Sequence, residues 1–171
     1  SRYMRLSSLN GKTGFSMAGI NSGDHSGHSV SGVGDLDKDG YDDVLVGAPH
    51  NDHNGVMAGS AYLFFGKKSG YKSSVKLEDL DGNNGFFIYG QDTGDRAGFS
   101  VSTAGDVNND GYDELIIGAP RGDHAYVYWG AANHSKHRQL NDLVGIDIGF
   151  YIGDGVGSRF GYSVDTAGDI N

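Results

Sequence analysis

The chain has 171 residues, among them 30 glycines, two prolines and no cysteine, and its formal charge is −9. Glycine at roughly 18%, against an average near 7%, has no three-residue period here and so is not collagenous; with 37% hydrophobic and 11% aromatic residues the chain is neither a linker nor a disordered tract. The missing cysteine removes disulfides, zinc–thiolate sites and thiol catalysis, and an acidic pI near 5.0 argues against a nucleic-acid or anionic-membrane surface.

Taken in chain order, the first apolar segment is Gly14-Phe15-Ser16-Met17-Ala18-Gly19, which reads as the end of a structural unit. Strands are then predicted at 28–33, 43–47, 60–65 and 86–89, and again at 99–104, 114–118, 125–129 and 149–152. These are short apolar runs bounded by Gly, Asp and Asn. Val44-Leu45-Val46 and Leu115-Ile116-Ile117 are continuous rather than alternating, the pattern of a strand covered on both faces. No apolar segment is long enough, with a 3.6-residue period, to make a helix, and none approaches the 18 or so residues of a membrane span.

The two sets of strands are copies of one unit. Gly27-His28-Ser29-Val30-Ser31, Gly34-Asp35 and Gly47-Ala48-Pro49 recur 71 residues later as Gly98-Phe99-Ser100-Val101-Ser102, Gly105-Asp106 and Gly118-Ala119-Pro120. The offset falls to 64 at Ala61-Tyr62-Leu63-Phe64-Phe65-Gly66 and Ala125-Tyr126-Val127-Tyr128-Trp129-Gly130, so the first copy carries an insertion in the loop His50 to Ser60. A third copy begins at Gly161-Tyr162-Ser163-Val164. Units of this length with four antiparallel strands, stacked so that each covers its neighbour, fit β-propeller blades. The expected division is 1–20, the tail of a preceding unit; 21–90 and 91–153, two complete blades; and 154–171, the start of a third. Rings need about four to eight blades. The chain is therefore expected to be a piece of a longer propeller, or to close by assembling with copies of itself.

Between the first two strands of each unit lies an acidic nonapeptide, Asp35-Leu36-Asp37-Lys38-Asp39-Gly40-Tyr41-Asp42-Asp43 and Asp106-Val107-Asn108-Asn109-Asp110-Gly111-Tyr112-Asp113-Glu114. Side-chain oxygens recur at positions one, three, five and nine. Alternate spacing turns them toward one centre when the loop curls, the glycine at position six permits the turn, and Tyr41 or Tyr112 at position seven can add a backbone carbonyl. Hard oxygen donors of this kind suit Ca²⁺ better than Mg²⁺. An Asx-rich turn with no ion is the alternative, but it leaves crowded carboxylates uncompensated. An EF-hand is rejected because its bidentate Glu would fall on Val46 or Ile117, inside a strand.

Phe160-Gly161 (Ser26-Gly27 and Ala97-Gly98 in the other copies), the Asp-rich loop and Gly-Ala-Pro together resemble the FG-GAP repeat of integrin α-subunit heads, of many bacterial secreted or surface proteins and of a phospholipase D. The segment Leu6-Ser7-Ser8-Leu9-Asn10-Gly11 with Gly14-Phe15, echoed by Leu77 to Phe86, is closer to the bacterial repeats. The resemblance implies an extracellular or cell-surface Ca²⁺-binding propeller, its ions held by Asp35, Asp37, Asp39 and Asp43, and by Asp106, Asn108, Asp110 and Glu114. Glu114 is one methylene longer than the usual Asp, which leaves Asp113 as a substitute.

No catalytic motif completes itself. Ser29, Ser100 and Ser163 repeat in register without G-x-S-x-G, the pattern of a blade residue rather than of a nucleophile. Asp24-His25, Asp52-His53 and Asp123-His124 read as solvated turns, and Asn133-His134-Ser135 is a glycosylation sequon. The expectation is a non-enzymatic adhesion or recognition segment with a protein or glycan ligand, and no role in nucleic-acid binding or membrane insertion. A propeller attached to a hydrolase or lyase, or a purely structural surface array, is the alternative. The insertion His50 to Ser60 is either part of a ligand surface or a tolerated loop.

Overall fold

The computed structural model describes residues 5–131, 137–140, 149–153 and 157–166. In chain order its strands are β1 (Ser16–Ala18), β2 (Ser29–Gly32), β3 (Val44–Ala48), β4 (Ser60–Phe64), β5 (Ser74–Lys76), β6 (Gly85–Tyr89), β7 (Ser100–Gly105), β8 (Glu114–Ala119), β9 (His124–Tyr128), β10 (His137–Gln139) and β11 (Gly149–Gly153). Short 3-10 segments lie at Leu6–Ser8 and Leu77–Asp79, and Leu140 is likewise in a 3-10 turn. The fold is all-β, and the eight predicted strands are present with their ends shifted by a residue or two.

Strands β2, β3, β4 and β6 form one antiparallel blade, and β7, β8, β9 and β11 form the next. Alternation along the first blade sends side chains to two separate cores. Leu45, Ala61, Leu63, Phe86 and Ile88 face the second blade, where they meet Val101, Leu115, Ile117, Tyr126 and Tyr128. Val46, Tyr62, Phe64, Phe87 and Tyr89 point the opposite way, toward Phe15 and Met17 of the preceding unit. Both faces are apolar because both are buried, which is why the run Val44-Leu45-Val46 does not alternate.

Three short strands, β1, β5 and β10, lie outside the predicted set. The last two are parallel additions: β5 pairs with β1, and β10 pairs with β6 along the outer edge of the first blade. Each leads straight into a buried leucine, Leu77 and Leu140, packed in the core between that unit and the one before it. One segment of every unit thus closes the open edge of its predecessor. Ser-Val-Lys carries no apolar run, so only backbone pairing identifies it as a strand.

The recurring glycines lie on the seam between blades. A Cβ on Gly47 would collide with the carbonyl oxygen of Gly98, and one on Gly118 with that of Gly161. The same carbonyls accept hydrogen bonds from Ser29 and Ser100, both at 2.8 Å. Gly-x-Ser and Gly-Ala-Pro are therefore two halves of one interlock between neighbouring units, and these serine hydroxyls are committed to it.

The insertion is stitched down rather than projecting. Asn54 donates to the carbonyl of Gly90 (2.8 Å), while the carbonyls of Val56, Met57 and Ala58 accept from the N–H groups of Gly94, Arg96 and Ala97. It braces the link between the two blades, with Asn51, Ala58, Gly59 and Ser60 buried and Asp52, His53, Val56 and Met57 exposed.

Candidate metal centres

Each acidic loop joins the inner strand of a blade to the next strand, β2 to β3 and β7 to β8, and the two loops fold alike. Gly34 and Gly105 open them with φ of +70° and +73°, and Gly40 and Gly111 turn them with φ of +93° and +92°. Position four is also left-handed, at Lys38 (63°) and Asn109 (59°). No composition rule marks a lysine for that conformation, and only the matched Asn at the other site hints at it.

The carboxylate at position one organises the loop. Asp35 accepts the N–H groups of Asp39 (2.9 Å) and Gly40 (2.8 Å), and Asp106 accepts those of Asp110 (3.0 Å) and Gly111 (2.9 Å). Position five then accepts the N–H of position seven, at 2.9 Å from Tyr41 to Asp39 and from Tyr112 to Asp110. Oxygens of Asp35, Asp37 and Asp39 converge to within 4.8 Å of one another, as do those of Asp106, Asp110 and Glu114. Asn108 joins the second group through its amide, which donates to Asp110 at 3.0 Å.

Position nine separates the two sites. Asp43 lies outside the first cluster: its oxygens accept from Leu36 (2.9 Å) and Gly66 (2.8 Å), clamping the loop to the end of β4. Glu114 reaches one methylene further and lies inside the second cluster. Its Oε2 accepts from Val107 at 2.6 Å, and the backbone N–H of Gly130 also lies against the carboxylate, at a longer reach than that of Gly66 to Asp43. Asp113 is not the substitute. Its Oδ2 points at the first loop, 3.1 Å from where a Cβ on Gly34 would stand. Lys38 in turn lies over the ring of Tyr112, 5.4 Å from its centre.

The electrostatics call for a cation. Burial pushes Asp43 up to about 6 despite its two backbone hydrogen bonds, and the charges of Asp37 and Asp35 add to the rise. Burial also raises Asp37 and Glu114, each further raised by neighbouring carboxylates. Converging carboxylates, one of them buried, on loops already curled fit an oxygen-coordinated divalent ion.

One expectation fails. His124 is not in a solvated turn: it lies in β9, its side chain 18% exposed, with Nε2 3.6 Å from Asp95 Oδ2 and 2.7 Å from the Tyr126 hydroxyl. Asp24 is buried as well, accepting from Asn51 at 2.8 Å. His25 does remain exposed, stacked on His50 with ring centres 4.1 Å apart. Asp-His reads as a turn by composition, but strand pairing with β8 and β11 holds His124 in the sheet. The sequon Asn133-His134-Ser135 and the beginning of a third acidic loop at Asp169 and Asn171 lie outside the described residues.

Four-stranded blades stacked in series, each with an acidic loop on its innermost hairpin, define a β-propeller repeat chain. The FG-GAP repeat family model matches residues 26–64 and 97–133, the span of three strands in each blade, and the chain is an FG-GAP repeat protein. It is 31% identical over 141 residues to human integrin alpha-6, covering 81% of this chain and 11% of that protein. Integrin alpha pat-2 of Caenorhabditis elegans is 30% identical over 157 residues, 87% of this chain and 12% of that protein. Human integrin alpha-IIb is 34% identical over 102 residues, 60% of this chain and 9% of that protein. The chain thus spans about a tenth of the length of these relatives.

Proposed function

We propose that this chain is a calcium-binding segment of an extracellular or cell-surface adhesion or recognition propeller, with no catalytic role of its own. The convergence of oxygens from Asp106, Asp110 and the buried Glu114 to within 4.8 Å of one another, matched by Asp35, Asp37 and Asp39 in the first loop, carries the metal assignment. Asp35, Asp37 and Asp39, with the carbonyl of Tyr41, would hold one ion, while Asp43, the fourth expected ligand, clamps the loop behind them; Asp106, Asn108, Asp110 and Glu114, with the carbonyl of Tyr112, would hold the other. The ion supplies charge neutralisation and fixes the hairpin, while position-one carboxylates pre-curl the loop through backbone N–H groups. The similarity to integrin α subunits supports the adhesion role and the surface location. The units are assigned as 1–20, 21–90, 91–153 and 154–171, with the remaining blades supplied by a longer chain or by other copies. The ligand is a protein or a glycan.

A site with Kd of ~10 µM in ~1 mM calcium adds roughly 2.7 kcal/mol of folded-state stability by mass action. Chelation is therefore expected to lower the melting temperature of the full-length protein by several degrees, and added Ca²⁺ to restore it. A melting curve indifferent to EDTA would remove the structural-calcium role.

A further inference from the structure

On a chain of formal charge −9, three arginines surround one cavity. Arg96, Arg121 and Arg159, with Phe99, Pro120 and Tyr162, line about 210 Å³. Arg96 and Phe99 precede β7, Pro120 and Arg121 follow β8, and Arg159 and Tyr162 belong to the turn that opens the next unit. The acidic loop joins the other ends of β7 and β8, so the cavity lies at the opposite end of the blade from the metal centre. The equivalent positions one unit earlier are His25, His28, Pro49 and His50. Rings run across both seams, with 4.6 Å between the centres of His28 and Phe99 and 4.8 Å between those of Phe99 and Tyr162.

The guanidinium groups have no acidic partner among the described residues. The acids of the same turns are engaged elsewhere: Asp95 faces His124 at 3.6 Å, and Asp123 accepts backbone N–H groups from Gly157 and Arg159. Arg96 rests against the Met57 sulfur at 3.8 Å, a weak acceptor. Three guanidinium forks around one small cavity, without a carboxylate partner among the described residues, match the planar, bidentate geometry of carboxylate and sulfate groups. Beside them stand a half-buried Phe99 and a Tyr162 that is 57% exposed, flat apolar surfaces for the face of a sugar ring.

We propose that this inter-blade cavity binds the carboxylate or sulfate group of an acidic saccharide, with Arg96, Arg121 and Arg159 holding the anion and Phe99 and Tyr162 packing the ring. An acidic peptide offers the same charge but no rigid ring to lie on the two aromatics, so the saccharide is the better match. The site uses none of the calcium ligands, and the proposal stands whether or not calcium binds.

The test is calorimetric titration of the full-length protein, in calcium and at low ionic strength, with five probes: a sulfated disaccharide, a uronic-acid disaccharide, their neutral counterpart, inorganic sulfate and a short poly-glutamate peptide. Saturable binding of a charged disaccharide and none of the neutral one is expected, and the better of the two charged sugars identifies the anion. The double variant Arg121→Gln/Arg159→Gln should weaken that binding at least tenfold with an unchanged melting temperature. Tyr162→Ala should weaken the disaccharide but leave inorganic sulfate unaffected. Absence of saturable binding, equal binding of poly-glutamate, or an unaffected double variant would overturn the proposal. If the double variant melts early, Arg121→Lys keeps the charge and loses the fork, and undiminished binding there would count equally against it.

Discussion

The first blade fills the space beside its buried tyrosine with two side chains, and the second fills it with one. In the first, Asn51 bridges Asp24 (2.8 Å) and the Tyr62 hydroxyl (3.3 Å), and Ser60 braces Asn51 at 2.9 Å. In the second, His124 stands at the position of Ser60 and reaches both Asp95 and Tyr126. Gly122, at the position of Asn51, has no room for a side chain: a Cβ there would come within 2.6 Å of the His124 ring and 2.7 Å of Asp95 Oδ1. Both blades link a buried aspartate to a buried phenol through a polar side chain, supplied from the loop in one and from the strand in the other. The repeat therefore preserves a contact and lets the residue that makes it move.

What the blades share should be the harder thing to break. Gly47→Ala and Gly118→Ala each force a methyl group into a carbonyl of the neighbouring blade, where neither backbone can retreat without opening the seam. Each is expected to cost about 3 kcal/mol, the upper range for overpacking, read as a lower denaturation midpoint. A loss below about 1 kcal/mol would show that the blades are not interlocked there.

What they do not share should be exchangeable only as a pair. Gly122→Asn alone collides with the histidine, and His124→Ser alone leaves a cavity and strips Asp95 and Tyr126 of their bridge. Each is expected to cost about 2 kcal/mol. The double variant rebuilds the arrangement of the first blade and should recover at least about 1 kcal/mol of the summed loss in a double-mutant cycle. Strict additivity would mean the two blades are not solving the same packing problem.

Most of the fold was legible because it rests on signals local in the chain. Val44-Leu45-Val46 and the aromatic strand from Ala61 announce their own burial, and the loop oxygens repeat at fixed spacing. The parallel strands β5 and β10 were not legible, since Ser74-Val75-Lys76 is a strand only because the edge of a preceding blade is there to pair with. His124 was misread for the same reason: its burial is decided by Asp95, 29 positions away in sequence, and no window around Asp123-His124 contains that information. Within the metal loops the spacing identified the clustered oxygens but not the separate position of Asp43, which depends on Gly66 beyond two further strands.

That separation predicts different failures at the two loops. Asp43 holds two backbone N–H groups, so Asp43→Asn should lower stability by about 1–2 kcal/mol even in EDTA, because an amide cannot accept both as a carboxylate does. Glu114 lies inside the cluster of its loop, so Glu114→Gln should in addition weaken calcium binding at the second loop about tenfold, an effect that Asp43→Asn does not have at the first. Titration calorimetry paired with denaturation separates affinity from stability, and equal profiles for the two variants would mean that position nine plays one role in both loops.

Proton linkage gives a sign that can be checked. The folded state holds the Asp43 proton up to about pH 6, against an ordinary value of 3.8, because burial disfavours the charge. A folded-state pKa raised above the unfolded one means that the native state binds the proton more tightly, so the metal-free protein loses this contribution as pH rises from about 4 to about 6 and changes little above about 7. Glu114 is shifted the same way and adds to the trend. Calcium reverses it, because on the clustered carboxylates, Asp37 and Glu114 among them, protons and the ion compete for the same oxygens and acid then removes the ion's stabilisation. Melting temperatures across about pH 4.5 to about pH 7.5 should therefore fall with rising pH in EDTA and rise with it in excess Ca²⁺, with a shallower EDTA slope for Asp43→Asn. Parallel slopes in the two conditions would detach the buried carboxylates from the ion, leaving Asp43 and Glu114 as loop clamps alone.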